Sequence, residues 1–97
     1  MALLRDAYQI VAGSGLHVAV ATAEATQAVT LNKVYIISVN TDTYIRFSGT
    51  AVSAADGGFD LFMPSGTTAV LRATNATFRA IRDSADGDCG LSEVAIA

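Results

Sequence analysis

Tyr44-Ile45-Arg46-Phe47-Ser48-Gly49-Thr50, followed by Asp56-Gly57-Gly58 and then by Phe59-Asp60-Leu61-Phe62-Met63-Pro64-Ser65-Gly66, decides the fold class. Thr43, Ile45 and Phe47 alternate with Tyr44, Arg46 and Ser48, so one set faces a core and the other faces outward. Ile45 and Phe47 are the expected core residues, and Arg46 then faces solvent or a partner. The Asp-Gly-Gly and Pro-Ser-Gly clusters reverse the chain, because Gly tolerates positive φ and Pro pre-sets it. A second alternating run continues to Ala73, and the whole stretch reads strand, turn, strand, turn, strand.

Working outward from there, turn signals recur near the 8–12-residue spacing of sandwiches and barrels. The segments between them are rich in β-branched and aromatic residues. Expected strands are Leu16 to Thr22, Ala28 to Leu31, Val34 to Val39, Thr43 to Ser48, Phe59 to Met63, Thr67 to Ala73, Thr77 to Asp83 and Leu91 to Ile96. Asn40-Thr41-Asp42, Thr74-Asn75-Ala76 and Asp86-Gly87-Asp88 supply further turns. Loops this short require antiparallel pairing, since a parallel crossover needs a dozen or more residues. In the first of these strands Leu16, Val18 and Val20 share one face, with His17 and Ala19 on the other. Thr77 to Asp83 carries Phe78 and Ala80 on one face and Ile81 with Arg79 on the other, an ambiguous pattern, and a strand apolar on both faces is expected to be partly covered on both. The fold class is all-β: a small antiparallel sandwich or barrel over residues 16–97.

Residues 1–15 behave differently. Leu3, Leu4, Ala7, Tyr8, Ile10 and Val11 fit a helical stripe, yet Tyr8, Ile10 and Ala12 also alternate, and Gly13-Ser14-Gly15 ends the segment either way. The segment is either an arm that docks on a neighbour or the first strand of the same sheet.

The 97 residues support one domain, which buries roughly 60–70% of the surface of its unfolded chain. Disulfides do not assist, because Cys89 is the only cysteine. Hydrophobic residues make up 52% of the chain and charged residues only 15%, against about a quarter in ordinary soluble domains. A surface so poor in charge is expected to touch other protein. No run approaches the roughly 18–20 apolar residues of a membrane-spanning helix. Asp6 interrupts what would be the core of a signal peptide, so synthesis in a cytoplasm is expected. The formal charge of −3 and the scattered basic residues argue against nucleic acid, which needs clustered Lys and Arg.

The chemical inventory is mostly negative. With His17 as the only histidine, no zinc site of several histidines and no facial triad fits within one chain. Cys89, between Asp88 and Gly90, is expected to be a structural thiol, since an acidic turn raises its pKa. Asp83, Asp86 and Asp88 lack the spacing and closing Glu of an EF-hand loop and read as solvated turn residues. Gly13-Ser14-Gly15 lacks the further glycine and the lysine of a phosphate loop. No enzyme, cofactor or metal is expected.

The run Val34-Tyr35-Ile36-Ile37-Ser38-Val39, the stretch Arg46-Phe47-Ser48-Gly49-Thr50-Ala51 and the stretch Leu61-Phe62-Met63-Pro64-Ser65-Gly66-Thr67, with Val70-Leu71-Arg72 after them, resemble small virion proteins of tailed bacteriophages. The likeness is to capsid decoration or cement proteins and covers most of the chain from Val34 onward. It implies a jelly-roll-like sandwich, commonly a homo-oligomer, attached to the outer capsid surface with the major capsid protein as partner. It carries over no catalytic residue. A tail, spike or head-fibre module involved in host attachment is the alternative. Leu3, Leu4, Tyr8 and Ile10 are the candidate contacts with a neighbouring subunit, and Arg46 and Arg72 the candidate polar partners.

Overall fold

The computed structural model describes residues 9–49 and 60–95. Their strands, in chain order, are β1 (Gln9–Ile10), β2 (Leu16–Val20), β3 (Ala25–Ala28), β4 (Val34–Val39), β5 (Thr43–Phe47), β6 (Leu61–Met63), β7 (Thr68–Arg72), β8 (Thr77–Arg82) and β9 (Gly87–Ala95). Pairing is nested: β5 with β6, β4 with β7, β3 with β8, β2 with β9, all antiparallel. That is one long antiparallel ribbon rolled back on itself, and the further pairs β4–β9 and β5–β8 close it into two sheets. Sheet A has the order β1-β9-β4-β7 with β2 also on β9, and sheet B the order β3-β8-β5-β6. The chain is therefore an all-β antiparallel sandwich with jelly-roll connectivity.

The alternation seen in the sequence places the core. Val18 and Val20 of β2, Tyr35, Ile37 and Val39 of β4, and Cys89 and Leu91 of β9 point inward from sheet A. Ile45, Met63, Phe78 and Ala80 meet them from sheet B. Ile37 and Phe78 are fully buried, and Phe47 packs edge-on to Phe78 with ring centroids 5.5 Å apart. Leu16 and Phe47 are only partly buried at the margin of this core. β8 is central in sheet B and buried on both faces from Phe78 through Ile81, as its two-sided apolar pattern requires.

Besides shifts of one or two residues at other strand ends, three boundaries differ from the sequence reading. The strand expected over Ala28 to Leu31 is β3, Ala25–Ala28. Thr30 to Lys33 instead turns the chain, with Asn32 at φ 70 and the Thr30 amide donating to the Tyr35 hydroxyl at 2.9 Å. Asp86-Gly87-Asp88 is not the turn: β9 already begins at Gly87. Gly87 is needed there because a Cβ would lie 2.5 Å from Asn40 Oδ1, and the Asp88 amide donates to that same oxygen at 2.6 Å. The sixth strand starts at Leu61; Phe59 and the Asp56-Gly57-Gly58 turn lie outside the described residues.

Gln9–Ile10 is a strand of sheet A. β1 pairs Ala95 and Val94 of β9 along the edge that β2 occupies further up, at Gly87 to Leu91. The two are halves of one edge strand, broken where Gly13 adopts φ 77. Ser14 spans the break: its hydroxyl donates to the Val11 carbonyl at 2.7 Å and accepts from the Glu93 amide at 2.9 Å. Val11 continues the ladder with its amide on the Glu93 carbonyl at 2.9 Å.

Candidate interaction surfaces

Side chains that point away from the core form two faces of different chemistry. On sheet A, register places Ile10, Val94, Val34 and Arg72 in one row across all four strands, with Ser92, Ile36 and Val70 in the next. Apart from Ser92 and the terminal Arg72 this is an apolar band, about 14 Å from Ile10 to Arg72 at the usual strand spacing. Its middle is closed, Val94 being 5% and Val34 9% exposed, while its ends are open, Ile10 at 53% and Val70 at 39%. Beyond it the same face turns polar, with Ser38 bonded to Thr68 at 3.2 Å and His17 to Asp88 at 2.6 Å.

The outer face of sheet B is tied up internally. Arg79, central on β8, donates to the carbonyls of Ser48 at 2.7 Å and Gly49 at 3.1 Å and pairs with Glu24 at 2.5 Å. Both partners of that ion pair are nearly buried. Arg46 lies directly opposite Arg79 across the β5–β8 ladder, with its Nε 3.8 Å from Asp60. Tyr44 stacks at a tilt on Phe62, centroids 5.0 Å apart, and donates its hydroxyl to Asp83 at 3.3 Å. Partial desolvation first, and Asp83 second, push the Tyr44 hydroxyl pKa up.

The candidate contact residues separate accordingly. Ile10 and Arg72 stand at opposite ends of the apolar row on sheet A. Arg46 is on the other sheet and its side chain is largely covered. Leu3, Leu4 and Tyr8 lie outside the described residues. Val34, Ile36, Val70 and Val94, which complete the band, were not singled out by periodicity. For Val34 and Ile36 the signal was the unbroken apolar run Val34-Tyr35-Ile36-Ile37, too continuous for a strand with one wet face; Val70 and Val94 lie outside it.

Cys89 is fully buried, and burial alone pushes its thiol up to about 12, so desolvation does what the sequence assigned to acidic neighbours. Asp83, Asp86 and Asp88 diverge to Tyr44, Arg82 and His17. Among the described residues no group of three His, Cys, Asp or Glu side chains converges, and no helix is long and apolar enough to cross a membrane. Comparison with protein-family models, curated proteins and solved structures finds no match.

Proposed function

We propose that this chain is a structural virion protein that decorates and stabilises a bacteriophage capsid through protein–protein contacts. The observation that carries the reading is the apolar band Ile10–Val94–Val34 with Ile36 and Val70, on a sheet face whose edge strand β7 is also open. Exposed apolar side chains at both ends of one sheet face, Ile10 on β1 and Val70 on β7, suit a protein contact, and the low charge content of the chain points the same way. The major capsid protein is the partner this reading requires, and the capsid surface is the location. Each copy adds a modest buried area at a junction between shell subunits, stabilising the assembled state relative to the disassembled one by mass action. Symmetric repetition multiplies that small term over the whole shell.

A tail, spike or head-fibre module is the second reading, and the exposed Phe62 beside Tyr44 favours it, since aromatic side chains anchor recognition surfaces. The two differ in copy number. Quantitative mass spectrometry of purified particles is expected to give this chain in near-stoichiometric ratio to the major capsid protein. A handful of copies per particle would select the attachment module, and absence from particles would remove both.

A further inference from the structure

The four sheet edges are not equally protected. In sheet B, β6 is only three residues long and is followed by Pro64, and β3 lies at the corner where the chain passes over from β2. In sheet A the edge made by β1 and β2 is broken at Gly13. Short strands, proline and breaks are the ordinary devices that stop edges from pairing with other chains. β7 has none of them. Its five residues, Thr68–Arg72, contain no Gly or Pro and pair without a bulge against Val34 to Ser38.

Which backbone groups of β7 are open follows from its ladder. The Ala73 amide donates to the Lys33 carbonyl at 2.8 Å, and the Val39 amide to the Thr67 carbonyl at 3.2 Å. In an antiparallel ladder the bonding residues alternate, so Thr67, Ala69, Leu71 and Ala73 are turned to β4. Thr68, Val70 and Arg72 therefore present their N–H and C=O groups along the free edge. Among the described residues nothing pairs with them. On the inner side Ala69 and Leu71 are packed against the core but only partly buried.

We propose that β7 is a self-complementary edge on which two copies of this chain pair antiparallel about a two-fold axis at Val70. The dyad sets Val70 opposite Val70, and Thr68 opposite Arg72 at both ends, so that each pair exchanges two backbone bonds, about six in all. The one charge on the strand does not oppose this. Arg72 faces the uncharged Thr68 of the second copy, and the two Arg72 residues lie about 14 Å apart, beyond the screening length at physiological salt. Arg72 is moreover already engaged, its guanidinium donating to the Asn32 carbonyl at 2.6 Å. Pairing completes the cover over Ala69 and Leu71 and joins the Ile36–Val70 rows of the two copies into one band. An isologous contact of this kind closes at two copies and leaves no edge of β7 for further growth. The pairing goes beyond the capsid reading and needs no shell, so either can fail without the other.

The test uses the full chain alone in solution. Sedimentation equilibrium is expected to show a reversible dimer. Val70→Lys, which places like charges on the dyad, is expected to raise its dissociation constant at least about tenfold while the circular dichroism of the folded chain stays unchanged and its melting temperature matches that of the parent diluted to monomer. Val70→Cys is expected to form an intermolecular disulfide under mild oxidation, because the two Cα atoms would stand about 5.5 Å apart, inside the range a disulfide spans. Ile10→Cys, more exposed but away from the dyad, is expected to stay at background. A chain that remains monomeric to about 1 mM, or a dimer that Val70→Lys leaves intact and Val70→Cys fails to crosslink, would overturn the pairing.

Discussion

On the outside of sheet B the central position is Arg79, with all its reach spent on Glu24, Ser48 and Gly49; on the outside of sheet A the central positions are the apolar Val94, Val34 and Ile36, whose register neighbours are Ile10, Val70, Ser92 and Arg72. The ion pairs Arg79–Glu24, Arg46–Asp60 and Arg82–Asp86 all involve strands of sheet B. One face satisfies its polar groups within the chain and fixes where β5 ends and the following loop leaves it. The other face keeps apolar surface together and holds an unprotected edge beside it. The contrast separates residues that maintain the sandwich from residues that present it to a partner.

The contrast is most easily broken at Arg79. Arg79→Ala removes the guanidinium from the nearly buried Glu24 carboxylate and from two carbonyls, and losing one member of a buried pair costs about 3–5 kcal/mol. In a domain of this size that lowers the melting temperature by roughly 12 °C or more. Ile36→Lys on the opposite face is expected to lose no more than about 1 kcal/mol. Thermal unfolding of both variants decides the matter, and equal losses would mean that the two faces do not divide the work as described.

Ser14→Ala sharpens the boundary of the presenting face. It leaves the Glu93 amide without its partner at the break between β1 and β2, for a loss of about 1–2 kcal/mol. The Glu93 amide should then exchange with solvent faster, together with its neighbours at β1, while β7 stays protected. An unchanged Glu93 rate would show that the hydroxyl is not the bridge.

The smallest effect belongs to His17 and Asp88, both exposed on the polar half of sheet A. The hydrogen bond from His17 holds the Asp88 carboxyl below its usual value, against partial desolvation, with the histidine's charge and Asn40 adding to the lowering. A carboxylate with a depressed folded-state pKa stabilises the fold at pH above its unfolded value, about 3.9, and that contribution is lost as the pH falls through the folded value. Urea unfolding below about pH 4 is therefore expected to show a slightly steeper acid loss for the parent than for His17→Ala. Parallel profiles would remove the contact from the account of stability.

Much of this was legible in the residues. Val34–Val39 was read with the bounds it has, and the inward set Leu16, Val18 and Val20 followed from strict alternation. The two-sided pattern of β8 implied partial cover on both faces, and its place inside sheet B buries Phe78 through Ile81. The failures have physical causes. In the Ala- and Thr-rich stretch around β3 the side chains are too alike for alternation to fix the register, and the turn is held by contacts from outside it, the Thr30 amide on the Tyr35 hydroxyl and the Asn32 amide on the Ala73 carbonyl. Gly87 looked like turn chemistry, but its missing Cβ serves close packing under Asn40 and Thr41. The outer apolar band could not be read from any one strand, because it exists only once β1, β9, β4 and β7 are placed side by side. Arg46 illustrates the same limit, its surroundings being set by Arg79 across the ladder and not by its own strand.

The most direct test of the central claim is binding of the purified chain to capsid shells that lack it, comparing Ile36→Lys with Phe62→Lys. Both positions are on outer faces, one in the apolar band of sheet A and one on sheet B. Ile36→Lys is expected to lower shell affinity at least about tenfold, equivalent to about 1.4 kcal/mol, with Phe62→Lys within about twofold of the parent. Loss of binding through Phe62→Lys with Ile36→Lys unaffected would contradict it and move the contact to the other sheet.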